Sequence, residues 1–222
     1  MITVVIADDL ALQRFGFRML LESQDDMTVV GEATGGSEAV RMTAELGPDV
    51  VLMDVRMPGL DGVEATRRII ASGGRSRVLI LTTFDLDEYA FAGLRAGASG
   101  FLVKDALPDD LLSGIRAVAD GNAVVAPALT RRLLDRFAHR FPVPGAAGEP
   151  DPRLRSLTER ERGVLLCIAQ GCTNKEIAER LVLAESTVKT HVGRVLAKIG
   201  ARDRVQAVIF AYDIGLVTPE GR

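Results

Sequence analysis

The first half of the chain carries three carboxylates, a hydroxyl and an ammonium at matching places. Asp8 and Asp9 follow the apolar run Thr3–Ala7, Asp54 closes a second run, Thr82 closes a third, and Lys104 follows a fourth. Adjacent carboxylates repel one another unless a cation joins them, and oxygen ligands without cysteine suit a hard ion such as Mg²⁺. Helix capping would account for Asp8 and Asp9 alone, and a turn for Asp54 alone. Neither accounts for all three beside a hydroxyl and an ammonium. The second half offers a different set, Lys189, Thr190, Gly193, Arg194, Ala197 and Lys198, on one face of a helical pattern. Small residues let a helix approach base edges and basic ones reach phosphates. From this helix alone, a solvated basic face explains the pattern nearly as well.

These residues need elements to position them. Thr3–Ala7, Thr28–Ala33, Val50–Val55, Val78–Thr82 and Gly100–Val103 read as strands, alternating with helical spacing over Leu10–Glu22, Ser37–Leu46, Gly62–Ala71, Leu86–Ala96 and Asp109–Ala119. Five such repeats predict a doubly wound α/β fold, a five-stranded parallel sheet covered on both faces, whose ligands gather at the carboxyl ends of the strands. In MPGLDG, beside Asp54, glycine permits close backbone approach and proline fixes a turn; Asp61 is assigned no chemistry. A further helical pattern at about 128–140 leads into FPVPGAAGEPDP, too rich in proline and glycine for a regular element. Helical patterns follow near 158–170, 174–181, 185–199 and 203–214. The expected organisation is therefore a domain over 1–122, a linker over 123–155 and an all-α domain over 156–218.

In the all-α part, Thr158 and Glu161 have the spacing of a capping box. Ser186 or Thr187 is expected to start the longest helix, whose stripe Val188, Val192, Val195 and Ile199 must face the core. The last pattern presents Val205, Val208, Ile209 and Tyr212, more apolar surface than so small a domain needs.

The 222 residues carry a net charge of −3, which conceals an asymmetry. Residues 1–125 hold 19 acidic and 11 basic side chains (net −8), and 126–222 hold 11 and 16 (net +5). A basic half points toward nucleic acid. No apolar run approaches a membrane span, and MITVVIADDL lacks the features of a secretory signal, so a soluble, cytoplasmic protein is expected. With only Cys167, Cys172, His139 and His191, a structural zinc site is not expected; the thiols read as reduced and partly buried.

The runs VVIADDLALQRFGFRMLLE, PDVVLMDVRMPGLDGVEATRRI and VLILTTFDLDEYAFAGLRAGASGFLVKD resemble the receiver domain of two-component response regulators over essentially all of residues 1–120. The resemblance implies that Asp54 is the phosphoacceptor, that Asp8 and Asp9 organise Mg²⁺ together with Asp54 and the backbone carbonyl of Arg56, and that Lys104 pairs with the phosphoryl group. It also implies that Thr82 and Phe101 are switch residues and that Arg56 and Phe84 tune the phosphoryl lifetime.

Two short helices, the second basic and preceded by Thr173, Asn174 and Lys175, read as a helix-turn-helix. The run from LTERERGVLLCIAQGCTNKEIAERL through ESTVKTHVGRVLAKIGARDRVQAVIFAYDIGLV resembles the LuxR-type DNA-binding domain. By that resemblance Lys189, Thr190 and Gly193 fall where major-groove bases are read, with Thr173, Asn174, Lys175, Thr187, His191, Arg194 and Lys198 as phosphate or auxiliary contacts. Gly193 departs from members with a longer polar side chain there. The last helix would pair two such domains on adjacent half-sites.

Together the two resemblances imply a NarL/FixJ-family response regulator. Its expected partners are a sensor histidine kinase and double-stranded promoter DNA; it would form a homodimer when phosphorylated, and contact with RNA polymerase is compatible with that role. The alternatives are a DNA-binding regulator independent of phosphorylation and, from another class, a Mg²⁺-dependent phosphatase or phosphotransferase. An enzyme would need a substrate-selecting insertion for which the first half has almost no spare loop length, so a non-enzymatic role is expected.

Overall fold

The computed structural model describes residues 1–82, 87–121 and 151–217. The chain divides into two compact units, Met1–Val124 and Val125–Arg222. The helix expected at about 128–140, most of the proline-rich stretch, Phe84 and Leu86 lie outside the described residues.

In the first unit, strands β1 (Ile2–Ala7), β2 (Met27–Ala33), β3 (Val50–Asp54), β4 (Arg77–Thr82) and β5 (Gly100–Val103) alternate with helices α1 (Ala11–Glu22), α2 (Gly36–Leu46), α3 (Gly62–Ala71), α4 (Asp87–Arg95) and α5 (Pro108–Ala119). All pairings are parallel and the order is β2-β1-β3-β4-β5. Strand side chains alternate between faces. Val4, Ile6, Val50, Leu52, Leu79 and Leu81 join Leu21 of α1 and Leu111, Leu112, Ile115 and Val118 of α5 in one core layer. Val5, Val51, Met53 and Ile80 are buried on the intervening positions, and Ala39, Ala65 and Ile69 of α2 and α3 are buried as well. Burial on both faces is why these strands read as unbroken apolar runs. Each fully buried side chain such as Leu52 or Ile80 contributes about 1.5–3 kcal/mol.

The chain turns outward from β1 in both directions, to β2 on one side and β3 on the other. That reversal opens a crevice at the carboxyl ends of β1 and β3, where ligands of such sheets bind. The Asp54-side loop is held close by Gly62, whose N–H donates to the Val55 carbonyl at 2.9 Å. A Cβ at Gly62 would overlap the Asp54 backbone carbonyl, so only glycine lets α3 start there. Asp61 is the N-cap of α3, its carboxylate accepting from the Glu64 N–H at 2.8 Å.

The second unit contains α6 (Pro152–Arg155), α7 (Glu159–Ala169), α8 (Asn174–Leu181), α9 (Glu185–Ile199) and α10 (Arg204–Asp213). Helix α6 corrects the reading of FPVPGAAGEPDP at its last residue. Asp151 caps the first turn, Pro152 occupies the position that needs no N–H, and the Arg153 guanidinium lies 4.5 Å from the Phe210 ring centre. Thr158 and Thr173 both form complete capping boxes, with Glu161 and Glu176. Helix α9 begins at Glu185, earlier than Ser186 or Thr187, because Ala184 takes the N-cap backbone conformation without a side-chain cap. Val188, Val195 and Ile199 are buried as expected, while Val192 is half-buried. Between α8 and α9 the chain reverses through Val182 in the left-handed conformation (φ 52), a costly one for a β-branched residue.

The largest departure concerns α10. Val205, Val208, Ile209 and Tyr212 were expected to be apolar surface, yet all four are buried, as are Ala207, Phe210 and Ala211. Helix α10 packs against α7 and α9, and a helix apolar around most of its circumference is one that folding covers. The two cysteines are buried and form no disulfide.

Glu161 ties the unit together, because its carboxylate completes the Thr158 capping box and accepts from Lys198 Nζ at 2.6 Å. Lys198 first, then the Thr158 N–H, pull its pKa from 4.5 down to about 2. A carboxyl whose folded pKa is lowered stabilises fully above its unfolded value and loses that contribution as pH falls through the folded one. Glu161→Ala should therefore cost about 1–2 kcal/mol at pH 7 in denaturant unfolding. The difference from wild type should shrink between about pH 5 and pH 2; a pH-independent difference would refute the ion-pair assignment.

Candidate functional site

The ends of β1 and β3 bring Asp8 and Asp54 together, both almost wholly buried, with Asp9 exposed at the mouth. Lys104, immediately after β5, closes the group. Its ammonium lies 2.7 Å from Asp8 Oδ2 and 2.8 Å from Asp54 Oδ2, and its side chain is 6% exposed. The second Asp8 oxygen accepts from the Leu10 N–H at 2.8 Å, just before α1, and the second Asp54 oxygen accepts from the Arg56 N–H at 3.4 Å. Asp8 thus does orient the entry to α1 through a backbone N–H, although Leu10 is the N-cap residue.

Burial raises the Asp54 pKa and the charge on Asp8 adds to that, while Lys104 opposes both; the net direction is upward. For Lys104 burial acts downward, but the hydrogen bonds and charges of Asp54 and Asp8 win and its pKa is raised. One ammonium therefore secures the cluster without fully offsetting its negative charge.

Among the described residues, Asp8, Asp9 and Asp54 form the one acidic group able to hold a metal ion, their ligand oxygens all within 4.8 Å of one another. An all-oxygen donor set with surplus negative charge fits a hard divalent cation of the Mg²⁺ class. Arg56, whose backbone carbonyl was expected to join the set, follows Asp54 by two residues, and its guanidinium lies 5.7 Å from the Tyr89 ring centre in α4.

Thr82 and Phe101 are both buried. In the β4–β5 register Phe101 lies beside Ile80 and Val103 beside Thr82, and the Lys104 N–H donates to the Thr82 carbonyl at 2.7 Å. The structure thus places the hydroxyl and the ammonium at two adjoining strand ends, with the aromatic ring two residues before the end of β5.

In the second unit, Thr187, Lys189, Thr190, Gly193, Arg194 and Lys198 are exposed along α9, and Thr173 and Lys175 are exposed at the start of α8. A Cβ at Gly193 would meet nothing within 4 Å, so glycine there keeps the face flat without being required by packing. Several expected contacts also have structural duties. Thr173 caps α8, Asn174 Oδ1 accepts from Arg204 at 3.3 Å, and Lys198 is paired with Glu161. His191 is half-buried, with a buried Nδ1 that has no hydrogen-bond partner, which sets it apart from the exposed residues.

Sequence reasoning missed Gln13 and Arg204. Gln13 Oε1 accepts from Lys104 Nζ at 2.7 Å. Arg204, half-buried, reaches the Cys172 carbonyl and Asn174, joining α10 to the start of α8. Both contacts span long sequence separations and leave no periodic signal.

Comparison with known proteins agrees with this layout. Residues 4–116 match the response regulator receiver domain family, and residues 155–211 match the luxR family of bacterial regulatory proteins. The chain is 44% identical to the uncharacterized transcriptional regulatory protein YxjL of Bacillus subtilis, over 97% of each chain. It is 39% identical to the transcriptional regulatory protein LiaR of the same organism, covering 98% of this chain and all of the relative. Among solved structures it resembles the response regulator ChrA of a heme-sensing two-component system, at 36% identity and a TM-score of 0.53, over 97% of this chain and 98% of that one.

Proposed function

The chain belongs to the response regulators that join a receiver domain to a LuxR-type DNA-binding domain, and on that premise we propose that phosphoryl transfer from a sensor histidine kinase to Asp54 controls its binding to promoter DNA. As a member of that family it is a DNA-binding transcriptional regulator. The observation that carries the phosphorylation reading is the Lys104 ammonium lying 2.8 Å from Asp54 and 2.7 Å from Asp8 inside a buried carboxylate cluster.

In this reading an Asp54 oxygen forms a bond to the phosphorus of a phosphohistidine as the N–P bond breaks, and the imidazole leaves with the bonding pair and is reprotonated. Asp8, Asp9, Asp54 and the Arg56 carbonyl would hold Mg²⁺, which when bound neutralises charge on the phosphoryl oxygens. Lys104 exchanges its hydrogen bond to Asp54 for one to a phosphoryl oxygen, supplying a fixed positive charge where negative charge develops. Burial of Asp54 restrains water from the resulting acyl phosphate. The modification puts a group of roughly −1.5 to −2 charges where the carboxylate carried −1, at the carboxyl end of the central strand β3. The Thr82 hydroxyl turns toward the new oxygens and Phe101 follows into the vacated space, altering the surface of α4 and β5.

The output is DNA recognition by α9, with Lys189, Thr190 and Gly193 at base edges and Thr187, Arg194, Lys175, Thr173 and Asn174 along the phosphates. Lys198 reaches phosphate only by giving up Glu161, and half-buried His191 acts from behind the face. We assign the active form to a homodimer in the cytoplasm, working without enzymatic turnover and able to meet RNA polymerase at the promoter. The absence of any helix long and apolar enough to cross a membrane, among the described residues, is compatible with that placement. The covered face of α10 means that pairing through it requires the helix to be uncovered first. We place the linker at 123–155, its last turn, α6, packed on the second unit through Arg153.

Incubation with Mg²⁺ and acetyl phosphate should add one phosphoryl group by intact mass, and Asp54→Asn should abolish it. An unmodified wild type would overturn the reading. Lys189→Ala should weaken binding to a promoter fragment selected from the source genome by about tenfold or more, corresponding to a lost base contact of about 1–3 kcal/mol. Unchanged affinity in a fluorescence anisotropy titration would remove Lys189 from the interface.

A further inference from the structure

We infer that Gln13 is a positioning residue for the phosphoryl-transfer site, acting through Lys104; the inference rests on the reading of Asp54 as phosphoacceptor. An ammonium has three N–H donors and no acceptor. In Lys104 two are directed to Asp8 Oδ2 and Gln13 Oε1, each at 2.7 Å, and Asp54 Oδ2 pairs with the ammonium at 2.8 Å. The two carboxylates change during the reaction, one through the metal site and the other through bond formation to phosphorus. Gln13 alone is neither nucleophile nor metal ligand, so its carbonyl offers Lys104 the same anchor before, during and after transfer.

The described residues lining the cavity beside Lys104 offer no substitute acceptor side chain. A cavity of about 290 Å³ reaches the lysine, and its other lining residues, among them Gly16, Phe17, Leu81, Val103 and Leu111, bring no polar side chain. Without Gln13, one N–H of a nearly buried ammonium would lose its acceptor, and the group would swing toward the two carboxylates or toward solvent. A neutral amide is also the suitable anchor. It fixes the ammonium without adding a fourth negative charge to a site that must admit an anionic donor. Preorganised charge of this kind accelerates transfer because the ammonium keeps its position while its other partners change. A hydrogen bond to a charged group is strong enough that losing it reduces the rate on the order of tenfold or more.

The test compares the full-length wild type, Gln13→Met, which keeps length and removes the acceptor, and Gln13→Glu, which keeps an acceptor oxygen. In the unphosphorylated, metal-free protein, the ¹⁵N resonance of the Lys104 ammonium reports its mobility and proton exchange. It should be sharp and slowly exchanging in wild type and in Gln13→Glu, and lost or rapidly exchanging in Gln13→Met. With Mg²⁺ and acetyl phosphate, Gln13→Met should lose about tenfold in maximal phosphorylation rate, while the half-saturating acetyl phosphate concentration changes less than about twofold. An unchanged rate, or a slowed rate with an undisturbed Lys104 resonance, would overturn the inference. Failure of wild type to be phosphorylated, or continued modification of Asp54→Asn, would instead overturn the underlying reading, and the resonance would still decide the tether.

Discussion

The structure of the first unit turns on a balance of charge at one end of a parallel sheet. Two buried carboxylates from neighbouring strands, with a third at the rim, repel one another in a place where water does little to screen them. A single ammonium from β5 holds them together. Because burial keeps the Asp54 pKa raised even with Lys104 in contact, the cluster retains a demand for more positive charge. In the proposed function a divalent cation would meet that demand and a phosphoryl group would renew it. A site balanced in this way would respond to modification because its hydrogen bonds are already shared among competing acceptors.

The same lysine links the site to the rest of the fold. Its backbone N–H is bonded to Thr82 at the end of β4, and its side chain reaches α1 through Gln13. Rearrangement at Asp54 therefore has two physical outlets, one through the β4–β5 edge toward Phe101 and α4, the other toward α1. In the second unit the logic is different. There an ion pair between Lys198 and Glu161 and the half-buried Arg204 fix helices against one another, leaving Lys189, Thr190 and Arg194 exposed on a flat, basic helix face.

Much of this arrangement can be read from residue order. Strands buried on both faces produce apolar runs such as VVLM, whose ends coincide with the strand ends to within about one residue, so the joint position of Asp8, Asp54, Thr82 and Lys104 is legible. Capping boxes are local, and Thr158 with Glu161 was recognisable for that reason. Contacts between distant positions are not legible in this way. Nothing in the spacing of Gln13 marks it as the anchor of a lysine 91 residues away, and Lys198 looks like one more basic residue until Glu161 is seen beneath it. Local rules also misled where packing overrode them. Ser186 and Thr187 are better caps than Ala184, yet α9 begins before them, and the apolar residues of α10 are covered rather than displayed.

In the proposed function the charge state of the Asp54 site governs what the α9 face does to DNA. The most direct measurement is the affinity of the full-length protein for one promoter fragment, by fluorescence anisotropy at fixed salt, before and after phosphorylation by acetyl phosphate, with Asp54→Asn treated identically. Wild type should bind more tightly after treatment, and Asp54→Asn should not change. Equal affinity of the phosphorylated and unphosphorylated wild type would contradict the proposed function.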